Sequence, residues 1–261
     1  MNIVVCLKQV PGTTEVKIDP QTNTLIRQGI ENIINPFDTY ALEEGVRLKE
    51  KHGGKVTVIT MGPPQAEGAL HEAISLGADE AVLLSDRAFA GADTWATANT
   101  LSKAILKLEK TDIIICGRQT IDGDTGQVGP EMAEMMGIPF VAYVSKIEEI
   151  ADGKIRVSRM IEEGHEVIET TLPAVITVAK EINVPRLPSL RGITRSKSAR
   201  VATWTINELG VDANAVGLAG SSTQVIKIFF PQRISQAEVL TGDAAAQVDK
   251  LIEKLRSANL L

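Results

Sequence analysis

The sequence predicts an α/β protein: a doubly wound parallel sheet with an antiparallel extension and a C-terminal arm. Three observations carry this expectation. Over the first two thirds, short continuous apolar runs alternate with segments of helical period, a pattern that implies right-handed crossovers and a parallel sheet covered on both faces. From Pro139 onward, strand-like runs follow one another with only turns between them. Aromatic residues make up 3% of the 261 residues against 44% hydrophobic residues overall, so the core must be built from Val, Ile, Leu and Ala.

The elements follow in order. "NIVVCLKQV" opens with an apolar run at residues 2–7, the length of a buried strand. "DTYALEEGVRLKEKHG" reads as a helix capped by Asp38, with a stripe of Ala41, Leu42, Val46 and Leu48 and a stop at Gly53. Strand "KVTVITMG", helix "PQAEGALHEAISLG", strand "EAVLLSD" and helix "ADTWATANTLSKAILKLEK" come next, then strand "TDIIICG" and a helix near "PEMAEMMG". "VAYVSKIEEI", "KIRVSRM", "HEVIETT" and "AVITVAK" are read as an antiparallel ribbon with turns at Asp152-Gly153 and Glu163-Gly164. "EINVPRLPSLRGITRSKSARV" shows no regular period. Residues 1–210 are therefore expected to form the α/β domain. Residues 211–261 are expected to form an arm: a linker of small residues over 211–223, a strand at "TQVIKIFFP" and a final helix.

Bulk properties narrow the function. A net charge of -6 argues against general affinity for nucleic acid or anionic membrane. Cys6 and Cys116 sit inside apolar runs without zinc or CxxC spacing and read as small buried hydrophobes. His52, His71 and His165 lack ligand-like spacing. No signal peptide precedes the first strand, and no apolar run approaches the ~20 residues of a membrane helix, so a cytoplasmic protein is expected.

In doubly wound sheets ligands bind beyond the carboxyl ends of the strands. One such end carries "GRQTIDGDTGQVGPE", residues 117–131. As a calcium loop it fails: after Asp122 and Asp124, the next carboxylate position is Gly126, the glycine position is Gln127 and the closing Glu position is Ala133. As a phosphate cradle it fares better. Pro130 is tolerated only near a helix start, which places that start close to Gly126 and leaves N–H groups of Gly126 to Gly129 for an anion. Arg118 is a candidate counter-ion, and a tight structural turn is the competing reading. A second helix end, in "SDRAFAGADTWATA", has Asp93 or Thr94 as its cap. Two such ends on adjacent strands would suit a pyrophosphate. No G-x-G-x-x-G follows the first strand, and no Walker A lysine motif occurs.

Taken together, these segments resemble the beta subunit of electron transfer flavoprotein. The resemblance is carried by Lys8-Gln9-Val10-Pro11, "NPFDTYALEEGVRLKE" from Asn35, "MGPPQA" from Met61, "LGADEAVLL" from Leu76, "GRQTIDGDTGQVGPE", "LPAVITV" from Leu172 and "NVPRLPSLRGI" from Asn183. It covers nearly the whole chain. It implies a Rossmann-like, adenine-nucleotide-binding fold and a heterodimer with an alpha subunit that carries FAD. The implied cofactor site comprises Cys6, Asn35, Pro36, Phe37, Asp38 and Met61, to which the second helix end adds Asp93 and Thr94. It continues through Gly117, Arg118, Gln119, Thr120, Ile121, Asp122, Gly123, Asp124, Thr125, Gly126, Gln127 and Val128. The resemblance also implies a recognition loop at 183–196 that docks on an acyl-CoA dehydrogenase through Pro185, Arg186, Leu190 and Arg191. "IDGDTGQVGPEMAE" and "SDRAFAGADTWATA" resemble bifurcating members, which imply FAD here, NADH as donor and ferredoxin or flavodoxin as acceptor. The alternatives are a structural AMP in a non-bifurcating member and a stand-alone adenine-nucleotide sensor. No catalytic acid, base or metal ligand is expected, because the chemistry would belong to the flavin.

Overall fold

The computed structural model describes residues 1–12, 17–18, 25–26, 32–226 and 237–261. Its elements are β1 (Asn2–Cys6), β2 (Gln9–Pro11), β3 (Lys17–Ile18), β4 (Leu25–Ile26), β5 (Asn32–Ile34), α1 (Pro36–His52), β6 (Lys55–Met61), α2 (Glu67–Leu76), β7 (Glu80–Leu84), α3 (Thr94–Lys107), β8 (Ile113–Gly117) and α4 (Val128–Met136). They continue with β9 (Phe140–Ala151), β10 (Lys154–Ile161), β11 (Gly164–Thr171), β12 (Ala174–Val178), α5 (Leu190–Ser198), β13 (Ala202–Trp204), α6 (Ile206–Leu209) and α7 (Ala244–Ser257).

Among the described residues, nine strands form one sheet in the order β11-β10-β9-β12-β8-β1-β6-β7-β13. The pairs from β9 through β12, β8, β1, β6 and β7 to β13 are parallel, and only β9-β10 and β10-β11 are antiparallel. The continuous apolar runs are explained by burial on both sides. Ile3, Val5, Ile113 and Ile115 face a layer containing Leu42 and Val46 of α1 and Leu70 and Ile74 of α2. Val4, Cys6, Ile114 and Cys116 face a second layer with Ala98, Leu101 and Ile105 of α3 and Met132 of α4.

Three expectations are corrected. "AVITV" is not part of the antiparallel ribbon: β12 is inserted between β8 and β9, parallel to both, and all five of its residues are buried. Full burial is what its β-branched, largely apolar run reflects, with Thr177 buried among the rest. The segment after Asn183 is not wholly irregular, because α5 begins at Leu190 under a cap in which Ser189 Oγ accepts from Gly192 N at 3.0 Å. Only Ser196 of α5 is buried, so the helix lacks the apolar stripe by which it would be read. Asp38 does not cap α1. Asn35 holds that position with Pro36 as the first helical residue, and the Asp38 carboxylate turns to other donors.

The described chain divides into two compact units, Met1–Ile226 and Lys227–Leu261. Residues 211–226 therefore lie with the first unit: Val216 is buried, and Leu218 N donates to Ala90 O at 2.9 Å. In the second unit, Asp243 caps α7 by accepting from Ala246 N at 2.8 Å, and Lys254 pairs with Glu238 at 2.6 Å. The expected strand at "TQVIKIFFP" falls mostly on residues outside those described; its first four, 223–226, have no regular structure. No helix among the described residues is long and apolar enough to cross a membrane.

Candidate functional site

Strand order reverses beside β1, since β6 and β7 lie on one side of it and β8 on the other. In doubly wound sheets such a reversal marks the ligand crevice, which here falls beyond the carboxyl ends of β1 and β8, where Cys6 and Cys116 are register partners. Asn35 ties its two walls together. It is fully buried; its backbone N–H donates to Lys8 O at 2.8 Å, its Nδ2 donates to Gln119 O at 2.9 Å, and its Oδ1 accepts from Ile121 N at 3.2 Å. Lys8 Nζ adds an ion pair to Asp122 at 2.8 Å, exposed enough to contribute little to stability.

Asp38 lies underneath. Its carboxylate accepts from Lys8 N at 2.7 Å, and Gly117 N and the Asn35 side chain lie near enough to favour its ionised form. The start of α1 presses so closely on the end of β8 that a Cβ at Gly117 would stand 2.3 Å from Asp38 Oδ1 and 2.7 Å from the Phe37 carbonyl carbon. Burial pushes the Asp38 carboxyl up to about 7 from an ordinary 3.8, and the hydrogen bonds from Lys8, Asn35 and Gly117 only partly offset it. Between those values the unfolded chain ionises while the folded one keeps its proton. The stabilising contribution is therefore full below 3.8 and lost as pH rises through about 7. Measured as thermal midpoints between pH 5 and 8, the parent should lose stability relative to Asp38→Asn as pH rises. A parent that gains on the variant would show instead that the N–H donors hold the carboxylate ionised.

Residues 121–127 are exposed along the crevice rim. Asp124 and Gly126 have left-handed φ values of 53° and 64°, with Asp124 N donating to Thr120 O at 3.0 Å and Gln119 Nε2 donating to Asp124 Oδ1. This bond accounts for one of the two aspartates and the Lys8 pair for the other. The helix begins at Val128, two residues later than expected, because Gln127 takes the cap position without a side-chain bond. By helix geometry Val128 and Gly129 N–H groups lack an acceptor in their own helix. Among the described residues, the Thr125 hydroxyl has no hydrogen-bond partner. Arg118 lies over the Phe37 ring at 5.1 Å and the Tyr143 ring at 5.8 Å. Tyr143, at a left-handed φ of 56° where the pairing of β9 shifts, was not legible as a crevice residue.

Asp93, rather than Thr94, caps α3 by accepting from Ala96 N at 3.0 Å, and its other oxygen accepts from Thr223 N at 2.9 Å. Burial opposes its ionisation, but these backbone donors outweigh that and hold its carboxyl below the usual range. Thr94 Oγ1 donates to Glu131 Oε1 of α4 at 3.1 Å, so the two helix starts meet. They do so without adjacent strands, since β1 and β6 separate β7 from β8; it is the helices that are neighbours on one face. Met61 ends β6 on that same face, half-buried. A cavity of about 460 Å³ lies elsewhere, between Met1, Asp112, Ile150 and Pro173 at the amino ends of the strands, where this class of fold does not place its ligand.

The expected recognition loop is fastened to α1. Asn183 Nδ2 donates to Tyr40 O and Glu44 Oε2, both at 3.0 Å, and Arg186 reaches Glu43 at 2.8 Å and Glu50 at 2.6 Å. Burial disfavours the Glu43 carboxylate, yet Arg186 and Arg47 outweigh it and hold its carboxyl below the ordinary range. Arg186 was expected to touch a partner; here its guanidinium is taken up by its own chain. Pro185 is half-buried and Arg191 exposed. Leu190 is 85% exposed, as are Val184 at 79% and Leu187 at 89%, and the last two carried no signal in the sequence reading. Leu190 projects from the first turn of a helix, not from an irregular loop.

A family model described as the electron transfer flavoprotein domain matches residues 22–209. Over 262 residues, and the full length of both proteins, the chain is 53% identical to an electron transfer flavoprotein subunit beta of Thermoanaerobacterium thermosaccharolyticum. It is 46% identical to the caffeyl-CoA reductase-Etf complex subunit CarD of Acetobacterium woodii, again over 100% of both chains. Identity to the protein FixA of Azorhizobium caulinodans is 44%, covering 98% of this chain and 94% of that one.

Proposed function

The chain belongs to the electron transfer flavoprotein family as a beta subunit, the partner of an alpha subunit, and from that premise we propose that its crevice holds FAD and takes part in electron bifurcation. The observation that carries the reading is the meeting of two helix amino ends, α3 and α4, through Thr94 and Glu131. One helix end suits one phosphate; two side by side suit a pyrophosphate. The residues fit such a group. Val128 and Gly129 present backbone donors, Gly126 leaves the approach open, and the buried Asn35 fixes the loop that carries them. Glu131 is the least favourable neighbour; burial, with Asp93 beside it, pushes its carboxyl up and so toward the neutral form.

When bound, FAD would supply the redox chemistry: hydride acceptance from NADH and division of the pair between ferredoxin or flavodoxin and, through the alpha-subunit FAD, an acyl-CoA dehydrogenase. The chain's own residues position and shield. Asn35 holds the rim, and Arg118 is held by Phe37 and Tyr143 as a cation at the mouth. The relative named as part of a caffeyl-CoA reductase-Etf complex lends support to a bifurcating role. The arm from residue 227 is assigned to the alpha subunit. Flavin analysis of the purified heterodimer should find two FAD per dimer and NADH oxidation without a dehydrogenase. One FAD with extractable AMP would replace this reading by a structural nucleotide.

Leu190, with Val184 and Leu187, is assigned to the acyl-CoA dehydrogenase contact, and Arg186 to holding that surface. An exposed leucine on an immobilised base is the form of a binding hot spot. Leu190→Ala is expected to slow transfer to the dehydrogenase roughly tenfold, for about 1.4 kcal/mol lost, with NADH reduction of the flavin unchanged. If both rates fall together, Leu190 is structural.

A further inference from the structure

Cys6 and Cys116 are register partners on adjoining parallel strands, so their Cα atoms stand about one inter-strand spacing, ~4.8 Å, apart. Disulfides span Cα separations of roughly 4.4–6.8 Å. Register partners in a parallel pair project to the same face, and both side chains join the layer under α3 and α4. Both thiols are free. Each is 8% exposed, whereas Val4 and Ile114, two residues earlier on the same strands and face, are 1% and 0%. Both residues are buried, and they stand at or next to the carboxyl ends of β1 and β8. The neighbouring Cys6 thiol, together with burial, pushes the Cys116 thiol well above the usual thiol range.

We propose that Cys6 and Cys116 form a dithiol site in the floor of the crevice, which closes to a reversible disulfide when a peroxide reaches the crevice while it is empty. One cysteine loses its proton and attacks an oxygen of hydrogen peroxide as the thiolate; the O–O bond breaks, the departing hydroxide takes up that proton as water, and a sulfenic acid forms. The second sulfur displaces its hydroxyl as another water, so two thiols and one peroxide give one disulfide and two waters. Side-chain separation across parallel strands exceeds the Cβ···Cβ distance of about 3.8 Å that a relaxed bridge prefers. Closure therefore draws β1 and β8 together, and such a bridge is readily reduced. These are the strands whose ends press on Asp38: Lys8 N donates to its carboxylate, and Gly117 leaves no room for a Cβ beside it. Protection by ligand rests on the nucleotide reading above; the thiol chemistry does not.

The test uses the heterodimer, stripped of nucleotide or saturated with FAD, and treated with hydrogen peroxide. In the stripped protein, peptide mapping should find one Cys6–Cys116 link, with loss of two hydrogens in mass and both thiols recovered by dithiothreitol. Bound FAD should slow this at least tenfold. Phenylarsine oxide, which bridges two close thiols with release of one water, should add once to the stripped parent and not to Cys116→Ser. Oxygen added to one cysteine, links between copies, or no arsenical uptake would overturn the dithiol site. Equal rates with and without FAD, with the link formed, would uphold the pair and count against the crevice as the nucleotide site.

Discussion

Gly117→Ala is expected to lower the stability of the chain by about 3 kcal/mol and to empty the crevice. The added methyl would stand 2.3 Å from Asp38 Oδ1, 2.7 Å from the Phe37 carbonyl carbon and 2.9 Å from Asp38 N. Two of the three are backbone atoms of α1, so no rotamer change relieves the overlap. Overpacking of this kind costs roughly 1–3 kcal/mol, and separating the Asp38 carboxylate from its donors adds to it. Scanning calorimetry should find the midpoint lowered by roughly 6–12 °C for a chain of this size. Gly123→Ala supplies the comparison, since its Cβ would meet only Thr120 Oγ1 at an ordinary 3.5 Å. If both variants melt with the parent, the end of β8 is looser than described and Gly117 has no special duty.

Asn35→Ala should detach the rim without unfolding the sheet. The buried amide gives one hydrogen bond to Gln119 O and takes one from Ile121 N, and neither of those backbone groups has another described partner. Leaving buried groups unpaired costs about 1–3 kcal/mol each, less where water can enter. The loss should appear in the loop over 117–127: hydrogen exchange at Ile121 should rise, and copurified nucleotide should fall at least tenfold. Asn35→Asp keeps the acceptor for Ile121 and loses the donor to Gln119, so it should fall between parent and alanine. A nucleotide content equal to the parent's would detach this asparagine from the site.

Much of the architecture was legible because burial on both faces leaves a mark that survives without coordinates. "NIVVC", "VTVIT" and "DIIIC" are unbroken because helices cover both sides of β1, β6 and β8. "AVITV" bears the same mark, but its neighbours in sequence are ribbon strands, and they mask its place in the sheet. Order along the chain does not fix order across a sheet. α5 and β13 went unread for the opposite reason: a nine-residue helix with only Ser196 buried and a three-residue edge strand carry almost no periodic signal. At the crevice, the rim's glycines, aspartates and Pro130 pointed to a helix start. Long-range partners did not show: Asn35 reaching Gln119, Arg186 reaching Glu43, Tyr143 beside Arg118, and the alignment of Cys6 with Cys116 all depend on register and crossover. Arg186 is the instructive case: its sequence surroundings give no sign that Glu43 and Glu50 of α1 are its intrachain partners.

The late insertion of β12 has a consequence for how the chain acquires its shape. During synthesis β8 emerges with one flank paired to β1 and the other bare. That bare flank, Ile113 to Cys116, is a short row of unpaired amides on an apolar strand, the kind of edge that recruits foreign strands. Its rightful neighbour is not made until the whole excursion through β9, β10 and β11 has been completed. Closure of the centre is therefore a non-local event, and non-local closure is slow. The ribbon sets the length of that delay, and during it the nascent chain is open to misassembly.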